Sequence, residues 1–226
     1  LTAFGLLIGA EFPAMDGSAE AAGATPLKNR ALWLWVAAIF LGGAAENTMS
    51  QWGSGYLEGA LGIPKVWGDV FGMVFFSLTL GISRTLYSRY GKGLKKLLFW
   101  GSVGAAICYV TAALCPIPAV GLLACAMTGL CTSLLWPGTL IVAAEQVPAG
   151  GVVMYALLAA GGDLGSCAIP QAIGLITDLS IGILPGGEQT GMRLGMLLGA
   201  LCPMAAAVIY RRYLFGKKQQ SDLKKN

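Results

Sequence analysis

The sequence predicts an all-α membrane protein, a bundle of six transmembrane helices preceded by the remnant of another helix. Three observations carry this prediction. Of the 226 residues, 56% are apolar and only 12% are charged, about half the roughly 25% charge of a soluble domain. The mean hydropathy is +0.69. The apolar residues gather into six runs of about twenty residues or more, each enough to cross a hydrocarbon core as a helix. Membrane-spanning β-strands would be about ten residues long and alternating, and these runs are neither. The same arithmetic excludes a disordered chain, a nucleic-acid-binding domain and an ordinary cytosolic enzyme.

The elements follow in order. Leu1 to Phe12 is apolar but interrupted by Glu11. As a helix it reaches about 18 Å, too short to span, and it lacks the basic start of a signal peptide. Residues 1–12 are expected to be the end of a preceding transmembrane helix. Residues 13–31, rich in Ala, Gly, Ser, Asp and Glu and containing Pro26, are expected to form a cytoplasmic connector. The six spans are expected near Leu32–Leu57, Val66–Leu86, Leu94–Leu114, Ala119–Ala144, Val152–Leu179 and Met192–Phe215. They make one transmembrane domain over 32–215, followed by a basic cytoplasmic tail over 216–226. Turn chemistry separates them: Gly62-Ile63-Pro64, Gly91-Lys92-Gly93, Cys115-Pro116-Ile117-Pro118, Pro148-Ala149-Gly150-Gly151 and Pro185-Gly186-Gly187.

Basic residues orient the bundle. Lys28 and Arg30 precede the first full span. Arg84, Arg89, Lys92, Lys95 and Lys96 cluster around the second connection, and Arg211, Arg212, Lys217, Lys218, Lys224 and Lys225 follow the last span. Only Lys65 and Arg193 fall on the other side. The positive-inside rule then places both chain ends in the cytoplasm. The formal charge of +4 reads as membrane anchoring, with the lipid bilayer and not nucleic acid as partner.

Composition also limits the chemistry. The chain has no histidine, so the commonest general base and metal ligand is missing. The six cysteines, Cys108, Cys115, Cys125, Cys131, Cys167 and Cys202, form no Cys-x-x-Cys pair and mostly lie inside apolar runs. They read as small buried hydrophobes and not as a disulfide framework. No metal site and no cofactor are expected. Neither a phosphate loop nor a zinc-protease or nucleophile-elbow motif occurs. Gly161-Gly162-Asp163 comes near an intramembrane aspartyl protease motif, but the partner aspartate is absent. The chain is not expected to be an enzyme.

Polar residues inside the spans are the candidate functional groups, because intramembrane charge is costly. Glu46 sits near the middle of the first full span. Ser50 and Ser54 share its face at helical spacing, and Asn47 and Gln51 lie beside it. Such a stripe either lines a water- or ligand-filled cavity or glues helices together by hydrogen bonds; a carboxylate plus two amides favours the cavity. Asp163 is the second candidate, with Ser166, Cys167, Pro170, Gln171 and Gly174 continuing its face. Pro170 breaks the backbone ladder mid-span, as in transporter midplanes, or serves as a packing kink. Trp136 precedes Pro137 and either stacks on a ligand or fills space. Glycines four apart, at 55/59, 68/72, 161/165 and 191/195/199, favour close helix packing.

Taken together, these residues resemble the C-terminal half of a major facilitator superfamily transporter, spans seven to twelve, over nearly the whole chain. Gly81-Ile82-Ser83-Arg84 followed by Arg89-Tyr90-Gly91-Lys92 resembles the family's glycine-and-arginine loop, without its acidic residue. Trp136-Pro137-Gly138 resembles the proline region of the tenth span, and Gly161 to Asp178 the eleventh. Gly42-Gly43-Ala44-Ala45-Glu46, with Trp52 and Tyr56 downstream, is similar to the seventh span of the fucose-permease-like, sugar-transporting branch.

The resemblance implies alternating access between two six-helix halves, of which this chain is the C-terminal one, in the plasma membrane of a bacterium. It implies a small-molecule solute, a sugar or related polar metabolite. Glu46, Asn47, Gln51, Trp52, Trp136, Asp163 and Gln171 would contact that solute, Glu46 and Asp163 would carry the coupling proton, and Arg84 and Arg89 would form a cytoplasmic gate. The alternatives are a non-transporting sensor or assembly subunit on the same bundle, and a stand-alone six-helix protein that dimerises around a pore.

Overall fold

The structure is a computed structural model that describes residues 29–147 and 150–223, with side chains as far as Tyr213. The helix remnant expected over 1–12 and the connector as far as Lys28 lie outside the described residues. Every regular element described is helical. Six helices are long and apolar enough to cross a membrane, which suggests a multi-pass membrane protein. We number them α1 (Arg30–Gly59), α2 (Lys65–Tyr90), α3 (Leu94–Leu114), α4 (Pro118–Gln146), α5 (Gly151–Ile181) and α6 (Gly187–Leu223). They cover the six apolar runs. The last helix extends beyond its expected ends and carries helical backbone into the stretch read as a tail.

Local chemistry sets the boundaries. Asn29 caps α1, its side-chain oxygen accepting from the Ala31 N–H at 2.9 Å. Gly91 ends α2 and Gly93 opens α3, both with φ in the left-handed region, at 39° and 76°, where a side chain would be strained. Pro118 occupies the first turn of α4, where its missing N–H loses nothing. Cys115, just before Pro116, is extended, with ψ at 125°, as a residue preceding proline prefers.

Helix α1 is the hub of the bundle and packs against α2, α4, α5 and α6. Helix α3 lies behind α4 and α6. Buried tyrosines tie the layers together. The Tyr109 hydroxyl of α3 donates to the Ala45 carbonyl of α1 at 2.7 Å, and that of Tyr56 donates to Ala112. Tyr210 of α6 shares a hydrogen bond of 2.6 Å with Thr139 of α4. In a medium without water a phenol has to find such a partner inside the protein.

Most of the four-spaced glycines prove to be contact rows. Gly161 meets Val36 and Gly165 meets the Phe40 backbone, both on α1; Gly68 and Gly72 of α2 meet Leu57 of α1; Gly191 and Gly195 of α6 meet Thr177 of α5. Gly55 is the exception, with nothing close to it. The small residues let the backbones approach, and dispersion contacts hold them there.

The charges separate between the two ends of the bundle. Lys95 pairs with Glu145 at 3.4 Å, and Trp35 meets Tyr213 edge-on with ring centroids 4.9 Å apart. These contacts bring Arg30, Arg89, Lys92, Lys96, Arg211 and Arg212 to one end. At the other end, Gln189 bonds the Ala60 carbonyl at 2.8 Å and Arg193 the Ala113 carbonyl at 3.4 Å. Lys65 lies at that second end.

Candidate functional site

The polar stripe of α1 faces the edges of two other helices, α2 and α5. Glu46 turns toward α2. There Arg84 Nη2 donates to both carboxylate oxygens, at 3.0 and 2.9 Å. The pair stands at the margin of the core, with side-chain exposures of 18% for Glu46 and 39% for Arg84. Arg84 also reaches α4, where its Nε donates to the Ser133 carbonyl at 2.8 Å.

The sequence explains why that carbonyl is vacant. In a regular helix Ser133 O would accept from the N–H of residue 137, and residue 137 is a proline without one. Helix α4 breaks there, into Pro118–Thr132 and Leu135–Gln146. The regular ladder resumes with Gly138 N–H on Leu134 O at 2.8 Å. Arg84 thus supplies from another helix the donor that Pro137 withholds. Ser133 adds a hydroxyl bond to Ser83 of α2 at 2.7 Å. Pro137→Ala restores the local donor. The expected outcome is a coupling of about 1 kcal/mol between residues 84 and 137 in a double-mutant cycle on thermal or denaturant unfolding. A cycle that closes at zero would show that Arg84 does not serve this carbonyl.

Asn47 turns the other way, toward α5. Its amide donates to Ser166 Oγ at 2.9 Å and to its own helix at Gly43 O at 3.3 Å. The helices nearly touch here, since a Cβ on Gly43 would stand 2.6 Å from Gly162 O. The Trp136 indole packs on the other side of Gly162. Further along, the Trp52 indole N–H donates to the Pro170 carbonyl at 3.1 Å and its ring lies on Gly174. Trp52 and Trp136 thus both pack against glycines of α5, and Trp52 also caps a carbonyl at the proline kink.

Between these two flanks the stripe is open. Ser50, Gln51 and Glu58 are exposed. The half-buried Ser54 hydroxyl donates to the Asp69 carboxylate of α2, and Lys65 Nζ lies 3.5 Å from the same hydroxyl. Asp69 belongs to a π-helical stretch, Gly68–Val74, a widened turn of the kind often found at functional sites. The helices on either side, α2 and α5, are the least buried of the six, with 17% and 28% of their most apolar stretches covered by neighbours.

Other expected site residues are not gathered here. Asp163 and Gln171 are exposed on α5, on one face with Cys167, and no hydrogen bond joins either to Glu46. Arg84 and Arg89 are separated, Arg84 in the ion pair and Arg89 exposed near the end of α2. Among the described residues no cluster of His, Cys, Asp or Glu could hold a metal ion. The sequence alone does not single out Ser83, Ser133 or Ser166 as partners. The missing N–H of Pro137 was a legible signal for Ser133, but the identity of the donor was not. No family model, curated protein or solved structure matches the chain.

Proposed function

We propose that the chain is one six-helix half of an alternating-access carrier for a small polar solute, of the sugar or related-metabolite class, with the solute path along the open face of α1. One observation carries the reading. A helix at the hub of the bundle presents Ser50 and Gln51 outward, with the half-buried Ser54 beside them, between the two helices that are least covered by their neighbours. A polar face of this kind facing lipid would be costly. It is suited to water and solute on one side of a cleft, and α2 and α5 are then the surfaces that meet a second half. Glu46 holds the proton-coupling role in this reading, and the ion pair with Arg84 is the element that its protonation releases. The basic end of the bundle faces the cytoplasm.

The test is solvent access in intact membranes. In a variant with the six native cysteines replaced, Ser50→Cys and Gln51→Cys are expected to react with a charged, membrane-impermeant maleimide at least about tenfold faster than Leu34→Cys or Ile107→Cys. Both control positions are exposed apolar sites, at 41% and 60%, suited to contact lipid. Equal rates at all four positions would sink the carrier reading.

A further inference from the structure

A groove between α2, α3 and α4, with no wall from α5, is the second feature with a chemistry of its own. It encloses about 490 Å³ and is lined by Ile82, Leu86, Tyr87 and Tyr90 of α2, by Leu97 of α3, by Leu130 and Leu134 of α4, and by Lys92 at its mouth. From Tyr90 to Ile82 it descends about 12 Å along α2 at the helical rise. Its walls are mostly apolar, with the Ser83 hydroxyl among the α2 residues, while Gly91 and Lys92 of the connection close its end.

The charge at that mouth is unbalanced. The sequence contains no Asp or Glu between Asp69 and Glu145, yet it places Arg84, Arg89, Lys92, Lys95 and Lys96 in that interval. Two of the five are answered in space, Arg84 by Glu46 and Lys95 by Glu145. Arg89, Lys92 and Lys96 have no carboxylate within ion-pair distance among the described residues. Lys95 is further drawn away from the groove, its ammonium 5.4 Å from the centre of the Tyr213 ring. Lys92 thus lines a largely apolar slot at one end of the bundle, with the exposed Arg89 and Lys96 three and four residues from it along the chain.

We propose that this groove binds an anionic phospholipid, with one acyl chain between Leu86, Leu97, Leu130 and Leu134 and the phosphate diester at Lys92, Arg89 and Lys96. A free anion would use the rim but not the slot; a zwitterionic lipid brings a cation of its own to the basic rim beside its phosphate, whereas a lipid with a net negative headgroup uses slot and rim without that repulsion. The Tyr87 and Tyr90 rings lie where the chain meets the headgroup, the level that amphipathic aromatic side chains favour. The inference does not depend on solute transport.

Native mass spectrometry of the full chain, released from micelles doped with equal phosphatidylglycerol and phosphatidylcholine, tests it. Phosphatidylglycerol is expected to be retained at least about fivefold over phosphatidylcholine. Lys92→Ala combined with Lys96→Ala, both exposed positions, should abolish that preference. Leu86→Trp, which fills the slot, should lower retention of both lipids while the far-ultraviolet circular dichroism stays unchanged. Three results would overturn the proposal: equal retention of the two lipids, an unchanged preference in the lysine double variant, or full displacement of phosphatidylglycerol by millimolar inorganic phosphate.

Discussion

Gly165→Ala is expected to lower the stability of the protein by about 2 kcal/mol, and Gly165→Leu by about 3 kcal/mol or more, in the upper part of the range for overpacking. A Cβ at Gly165 would stand 2.8 Å from the Phe40 backbone carbon and 2.9 Å from its Cα. The obstacle is main chain of the hub helix, so no rotamer change relieves it. Helices α1 and α5 would have to separate, and the neighbouring Asn47–Ser166 bond would be lost with their contact. Gly55→Ala is the matched control. It sits within a helix with nothing within 4 Å of the added Cβ, and the gain from removing a helical glycine is about 0.5 kcal/mol. Unfolding of the purified protein in a mild detergent reads both variants. If the two alanines shift the midpoint equally, the close approach of α1 and α5 is not what holds them together.

Arg84→Ala is expected to be the more damaging of two changes to the ion pair, at about 3 kcal/mol against about 1 kcal/mol for Glu46→Gln. The asymmetry follows from what each deletion leaves behind. Without Arg84, the partly buried Glu46 carboxylate has no cation and the Ser133 carbonyl no donor. In the Glu46→Gln variant, Arg84 keeps Ser133 O and still meets an amide oxygen. The partial exposure of the pair, 18% and 39%, keeps these figures at the low end for a buried pair. Unfolding midpoints of the two variants measured side by side give the ranking, and the reverse order would mean that Arg84 is held mainly by charge and not by Ser133.

Much of this architecture was legible in the amino-acid sequence, for physical reasons. A helix that crosses lipid must be long, apolar and internally hydrogen-bonded, so each run announces itself without help from tertiary contacts. The Leu94–Leu114 span has the boundaries expected of it, because Gly93 and Pro116 end it by backbone chemistry alone. Pro137, next to Trp136, marks an irregularity in α4 for the same reason. The site was only partly legible. Periodicity put Glu46, Ser50 and Ser54 on one face of α1, and that is local geometry. It could not pair Glu46 with Arg84 or Asn47 with Ser166, which are 38 and 119 residues apart and are joined by how the helices cross. Resemblance assigned Arg84 to a gate beside Arg89, whereas packing turned the one inward and left the other at the surface. Asp163 and Gln171 illustrate the opposite limit. Their spacing places them on one helical face, but spacing alone does not say which neighbour that face meets.

The bond from Arg84 to the Ser133 carbonyl also bears on the order of assembly. A ribosome delivers α1 first, then α2, then α4. Glu46 and Arg84 are therefore both present, and able to neutralise each other, before the proline-broken helix is made. When α4 enters the membrane, its flaw is an uncovered carbonyl in the middle of an apolar segment, and the guanidinium that covers it is already waiting on an earlier hairpin. The defect in one helix thereby becomes an address. It marks the depth and the side on which α4 must dock, and an α4 docked one turn too high or too low leaves the carbonyl and the arginine's Nε without each other.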